Sequence, residues 1–180
     1  MPSRAPLWCR VLKGLAIGAA SFVAFLVGGL LLLMWSCEPP SLNTLAGRFP
    51  TQRRDLETIV SMSDHDTELT RIDPTWLSSE TAISQERWDE YRRLFSRNSI
   101  TQGIERDPET RDAFFLVKSF GLLNRGTSSG YLYCGPGPKH SFEPCNSSQP
   151  QGEHPYKPGD MAYSYRRLAD RWYAYSEGPG

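Results

Sequence analysis

Twenty-four consecutive residues, Gly14 to Cys37, carry no charge and consist mostly of Leu, Val, Ala, Phe and Gly. About 20 such residues form a helix that crosses roughly 30 Å of hydrocarbon with every backbone polar group paired internally. A secretory signal has a shorter apolar region, about 7 to 15 residues, followed by small residues at the cleavage site. Here Met34 and Trp35 are bulky, and an indole favours the membrane interface. The stretch Met34-Trp35-Ser36-Cys37 also approximates a lipoprotein signal, which makes Cys37 the alternative acylation site. Both readings stay open, and both predict contact with a lipid bilayer through residues 14–37.

Charge orients the span. Arg4, Arg10 and Lys13 precede it with no acidic residue among them, and basic flanks stay on the cytoplasmic side. Removing these three from the 20 basic residues leaves 17 against 20 acidic ones, a formal charge of −3 for the remainder. Nucleic-acid binders draw most of their affinity from a basic excess, so this balance argues against a nucleic-acid partner. Ala16, Ala20, Ala24 and Gly28 recur every four residues, a spacing that lets two backbones approach in lipid and makes a homodimer through this helix a candidate. The expected organisation is a cytoplasmic tail over 1–13, an anchor over 14–37, a Pro/Gly-rich tether over 38–50 and an extracytoplasmic domain over 51–180.

Cysteine usage agrees with export. Only Cys134 and Cys145 fall in the outer domain, and two cysteines at this separation in an oxidising compartment predict one disulfide. A Cys2His2 zinc set of Cys134, His140, Cys145 and His154 lacks the tight pair spacing of structural sites, so the bridge is the stronger reading. No cofactor is expected.

The outer domain reads as α+β. Leu56, Ile59, Val60 and Met62 share one side of a helix, and Ser84 to Asn98 forms a second, with Ser84 as N-cap and Trp88, Tyr91, Leu94 and Phe95 as its apolar stripe. Short strands follow at TELTRID and at Gly103 to Arg106, with an exposed charged turn at Glu105 to Asp112. Ala113 to Gly121 is apolar on both alternating sets, as in a central strand, and Gly130 to Cys134 returns from a turn at NRGTSSG. AYSYRRL and RWYAYS form a terminal hairpin. The predicted domain is an antiparallel sheet with about two helices packed on one face. Residues 135–159 form a long Pro/Gly/Ser loop carrying the Asn146 sequon, and loops of that length serve function more often than connection.

Three residues suggest chemistry. Ser128 lies in Gly-x-Ser-x-Gly, but a nucleophile elbow needs a helix after the serine and strand follows here. His65 sits in the polar segment Asp64 to Glu68, which reads as a solvated turn. His140 belongs to the long loop.

RWDEYRRLF (Arg87 to Phe95), Gly103-Ile104, GYLY (Gly130 to Tyr133) and RWYAYSE (Arg171 to Glu177) resemble a group of small uncharacterised bacterial proteins carrying an export signal or lipoprotein anchor. The likeness spans Leu56 to Glu177. It implies a compact envelope domain at the bacterial inner membrane, N-terminus cytoplasmic and C-terminal domain periplasmic, and it transfers no activity. The Pro-rich insert after Cys134 and the imperfect lipoprotein signal depart from that group. The expected function is therefore a membrane-tethered recognition or accessory domain with an envelope protein partner. The alternatives are a small envelope hydrolase or metal-dependent enzyme using His65, Ser128 or His140, and an immunity-type protein that blocks a toxin.

Overall fold

A computed structural model describes residues 25, 27–29, 39–79, 82–122, 125–137, 140, 142–146 and 161–179. The chain divides into two compact units, Met1–Glu38 and Pro39–Gly180. In the first unit Phe25 and Val27 to Gly29 are helical. The rest of the expected anchor, with Cys37 and its acylation, lies outside the described residues. Among the described residues no helix is long and apolar enough to cross a membrane.

The second unit is α+β. Helix α1 covers Leu42–His65, α2 Gln85–Arg97 and the short α3 Glu143–Asn146. The strands are β1 Arg71–Ile72, β2 Ile104–Arg106, β3 Ala113–Leu122, β4 Arg125–Tyr133, β5 Met161–Ala169 and β6 Trp172–Pro179. They form one open six-stranded sheet in the order β1-β2-β3-β4-β6-β5, antiparallel throughout.

The expected tether over 38–50 is helical from Leu42 onward. Ser41 caps α1 by accepting the Thr44 N–H at 3.3 Å, and Leu45 and Phe49 are buried in the core. Pro50 lies inside this helix at a typical cost of about 3 kcal/mol. Burying two large apolar side chains contributes about 1.5–3 kcal/mol each, which offsets it. The Thr51 hydroxyl donates to Arg48 O at 2.7 Å, occupying a carbonyl beside the proline. Helix α2 matches its sequence signals: Ser84 accepts the Arg87 N–H, and Tyr91, Leu94 and Phe95 are buried. The Trp88 indole donates to Asp73 O at 3.0 Å, with the Arg92 guanidinium 3.7 Å from the ring centroid.

Alternation gives the sheet two buried faces. Ala113, Phe115, Val117, Tyr131, Trp172 and Ala174 join the apolar residues of α1 and α2 in the main core. Trp172 is its hub, within 5.1–5.6 Å of the rings of Phe49, Phe115 and Tyr133. Helix α1 lies over β4, β5 and β6, and α2 packs on α1. On the opposite face Leu132, Tyr165, Tyr173 and Tyr175 form a second cluster with Cys134, capped by Phe114, Phe142 and Cys145. Gly130 is required where β4 crosses β3, because a Cβ there would sit 1.7 Å from Phe115 O.

The hairpin turn expected at NRGTSSG is shorter than that. Gly126, Ser128 and Gly130 pair within β4, opposite Gly121, Ser119 and Leu116.

Burial raises the pKa of three phenols. Tyr131 is pushed up to about 12 by desolvation, with Arg48 pulling the other way. Tyr91 is raised by burial and by its hydrogen bond to Asp66, and Tyr175 by burial and then by Glu177. Each binds its proton more tightly folded than unfolded, so its contribution is complete below an unfolded pKa near 10 and is lost as pH rises through the folded value. Urea midpoints measured against pH should hold steady up to about pH 9 and fall from about pH 10 to 12, with tyrosinate absorbance lagging behind that of the unfolded chain. Tyrosines that titrate near 10 without loss of stability would contradict this core.

Candidate functional site

The densest polar arrangement on the second face lies at the open end of the β3–β4 hairpin. Asp112 immediately precedes β3, Gly135 is the second residue after β4, and Ala113 pairs with Tyr133. The two flanking turns therefore abut. Asp107 shapes the first by accepting the Glu109 and Thr110 N–H groups at 2.8 and 3.0 Å, which holds its carboxyl below the ordinary range. Gly137 N donates to Thr110 O at 3.1 Å, and a Cβ on Gly135 would meet that same oxygen at 2.2 Å. Only glycine fits between the turns.

Asp112 is 1% exposed and joins both turns. Its Oδ1 accepts the Gly135 N–H and the His140 Nδ1–H, each at 2.8 Å. Its Oδ2 is buried and has no hydrogen-bond partner. The His140 backbone is clamped by Asn146, whose Oδ1 accepts from His140 N at 3.1 Å while its Nδ2 donates to His140 O at 2.6 Å. This occupies the side chain of the expected sequon. Cys134 and Cys145 are disulfide-bonded as expected, Cα to Cα 5.5 Å. One ligand atom each from Asp112, His140 and Cys145 lies within 4.8 Å of the other two.

The order Cys145, His140, Asp112 is that of a nucleophile, a base and the group that orients the base. While Cys145 is bonded to Cys134 no thiolate exists, and the arrangement holds the segment in place. The Cys2His2 set, set aside on sequence in favour of the bridge, is brought together only in part. Cys134, His140 and Cys145 do converge, His154 lies outside the described residues, and Asp112 stands beside the other three.

The remaining candidates separate. His65 is exposed, with Nδ1 2.7 Å from Ser61 O. Ser128 lies in β4 and donates to Glu177 Oε2 at 2.9 Å, while Tyr163 donates to Glu177 Oε1 at 2.7 Å. No helix follows Ser128, so it forms no nucleophile elbow. His65, Ser128 and His140 each contact different partners.

The segment Asp64 to Glu68 is more than a solvated turn. Asp64 pairs with Arg106 and, at 2.6 Å, with Arg111. Asp66 accepts from Arg87 at 3.0 Å and from the Tyr91 hydroxyl at 2.8 Å. These carboxylates are neutralised by guanidinium groups and tie the end of α1 to α2 and β2. The turn Glu105 to Asp112 likewise has buried ends, since Arg106 is 6% exposed and Asp112 lies deeper still. Sequence reading missed both residues. The one available signal was an Asp abutting the continuous apolar run of β3.

Beside the disulfide segment a recess of about 690 Å³ is lined by Arg71, Trp76, Glu105, Pro108, Phe114 and Phe142, among others. Phe114 and Phe142 pack with centroids 4.4 Å apart and ring planes tilted by 52°, and Trp76 is half exposed. Arg71 pairs with Glu105 at 3.0 Å and stands 5.8 Å from the Trp76 ring centroid.

No protein-family model matches this chain, no curated protein matches its sequence and no solved structure matches its fold.

Asp112→Ala leaves the buried Gly135 N–H without an acceptor, and should destabilise the domain by about 1–3 kcal/mol in urea unfolding at pH 7. Glu109→Ala, on the exposed part of the same turn, should stay within about 0.5 kcal/mol of the parent. Equal, small effects at both positions would show that Asp112 does not join the turns.

Proposed function

We propose that this chain is a membrane-tethered, extracytoplasmic recognition domain that binds an envelope protein through the recess beside the disulfide segment. The observation that carries this reading is that the half-exposed Trp76, the packed Phe114 and Phe142 rings and the Arg71–Glu105 ion pair line one recess. Aromatic anchors flanked by charge are the usual composition of a protein-binding hot spot. The disulfide between Cys134 and Cys145 supports an oxidising compartment. The uncharged stretch Gly14 to Cys37 with its basic leading flank supports a bilayer anchor, N-terminus cytoplasmic and domain outside, at the inner membrane of a bacterium. The small-residue face of that stretch supports helix pairing.

Intact mass of the membrane-extracted protein separates the two anchors. An uncleaved span retains residues 1–36, whereas a lipoprotein lacks them and carries acyl mass on Cys37. A full-length chain recovered in the soluble cytosolic fraction contradicts both.

Recognition is tested by crosslinking the full chain in intact cells. A stoichiometric envelope protein should be captured, and Trp76→Ala should reduce capture by at least about tenfold, as loss of an aromatic hot spot does. Alanine at His65, Ser128 and His140 together should leave capture intact. If that triple variant stays folded yet abolishes the cellular phenotype, the enzymatic reading replaces this one.

A further inference from the structure

We propose that reduction of the Cys134–Cys145 disulfide converts the open end of the β3–β4 hairpin into a zinc site formed by Asp112, His140, Cys134 and Cys145. This goes beyond the recognition reading and does not depend on it. In the bonded state the two sulfurs carry no negative charge, leaving one carboxylate and one imidazole, too few ligands to retain the ion. A dithiol donor changes that. It transfers two electrons and two protons, the S–S bond breaks, the donor is oxidised to its own disulfide, and Cys134 and Cys145 become thiols. Each thiol releases its proton to solvent as its sulfur binds the metal.

Geometry and donor chemistry both support the assignment. Tetrahedral zinc with bonds of about 2.0–2.3 Å sets its ligand atoms roughly 3.3–3.8 Å apart. Ligand atoms of Asp112, His140 and Cys145 already lie within 4.8 Å of one another, so the set needs to contract by only about 1 Å. Cys134 is bonded to Cys145 and so enters the same space on reduction. Two thiolates, an imidazole and a carboxylate suit zinc, whereas calcium and magnesium require oxygen ligands throughout.

The second, independent observation is the buried Oδ2 of Asp112. Its carboxylate is 1% exposed, and this oxygen has no hydrogen-bond partner. Such an atom costs stability unless something occupies it, and a cation beside it does so. The other oxygen, Oδ1, already holds the imidazole and the Gly135 N–H, so the two side chains stand together before any metal arrives, and metal on Nδ1 would take the place of the proton of that bond.

The test uses the full-length, detergent-solubilised chain, titrated with Zn²⁺ against a chromophoric chelator before and after reduction by a phosphine. The oxidised chain should bind no zinc at this site, and the reduced chain one equivalent. Cobalt substitution should give tetrahedral ligand-field bands together with thiolate-to-metal charge transfer. His140→Ala in the reduced state should weaken binding by about 10- to 100-fold, the usual cost of damaging a metal's ligand set. His140 lies on the partly exposed segment, so this variant keeps the test usable should Asp112→Asn fail to fold. The Cys134→Ser/Cys145→Ser double variant retains Cys9 and Cys37 and should lose the site. The proposal is overturned if that double variant binds zinc as the reduced parent does, if the oxidised chain binds equally well, or if His140→Ala leaves affinity within twofold.

Discussion

The domain depends on a strand pair that must be covered twice. Strands β3 and β4 present large apolar side chains to both sides, with Phe115 and Tyr131 toward the helices and Phe114 and Leu132 away from them. One face is covered by α1 and α2, whose buried stripes are long enough to hold themselves in place. Among the described residues, the other is covered by the segment around the four-residue helix α3, through Phe142 and Cys145. Closing a loop of this size with a disulfide contributes about 3 kcal/mol by restricting the unfolded chain. Asp112 adds the polar half of the attachment.

That arrangement ties the recess to the covalent link. Phe142 belongs to the disulfide-bonded segment, packs on Phe114 and lines the recess together with Trp76. A change at the sulfurs therefore reaches the recess through the four residues Phe142 to Cys145. On the far side of the Asp107–Asp112 turn, Asp64 and Asp66 anchor the end of α1 to Arg87, Arg106 and Arg111. Those ion pairs fix helix against strand and leave the second face to chemistry of its own.

Local signals carried much of this architecture. The Ser84 cap with the Trp88-Tyr91-Leu94-Phe95 stripe gives a helix with the expected ends, and the Ala169-Asp170 break gives a tight terminal hairpin. The doubly apolar run at Ala113 to Gly121 gives a central strand, and the cysteine count gives the bridge. What stayed hidden needed tertiary context. Pro39, Pro40, Gly47 and Pro50 look like punctuation until Leu45 and Phe49 find a core on which to pack, and that burial outweighs the proline. Asp112 and Arg106 sit in a charged stretch that pattern reading places in solvent. Their partners, His140 and Gly135 for one and Asp64 for the other, come from 23 to 42 residues away.

The claim that the second face is held by a covalently closed segment is tested most directly by peptide mapping. The chain is isolated from its native cells under acid quench, alkylated and digested without reduction. The account predicts a single crosslinked species joining the Cys134 and Cys145 peptides. Alkyl label on both of these cysteines in the freshly extracted chain would contradict it.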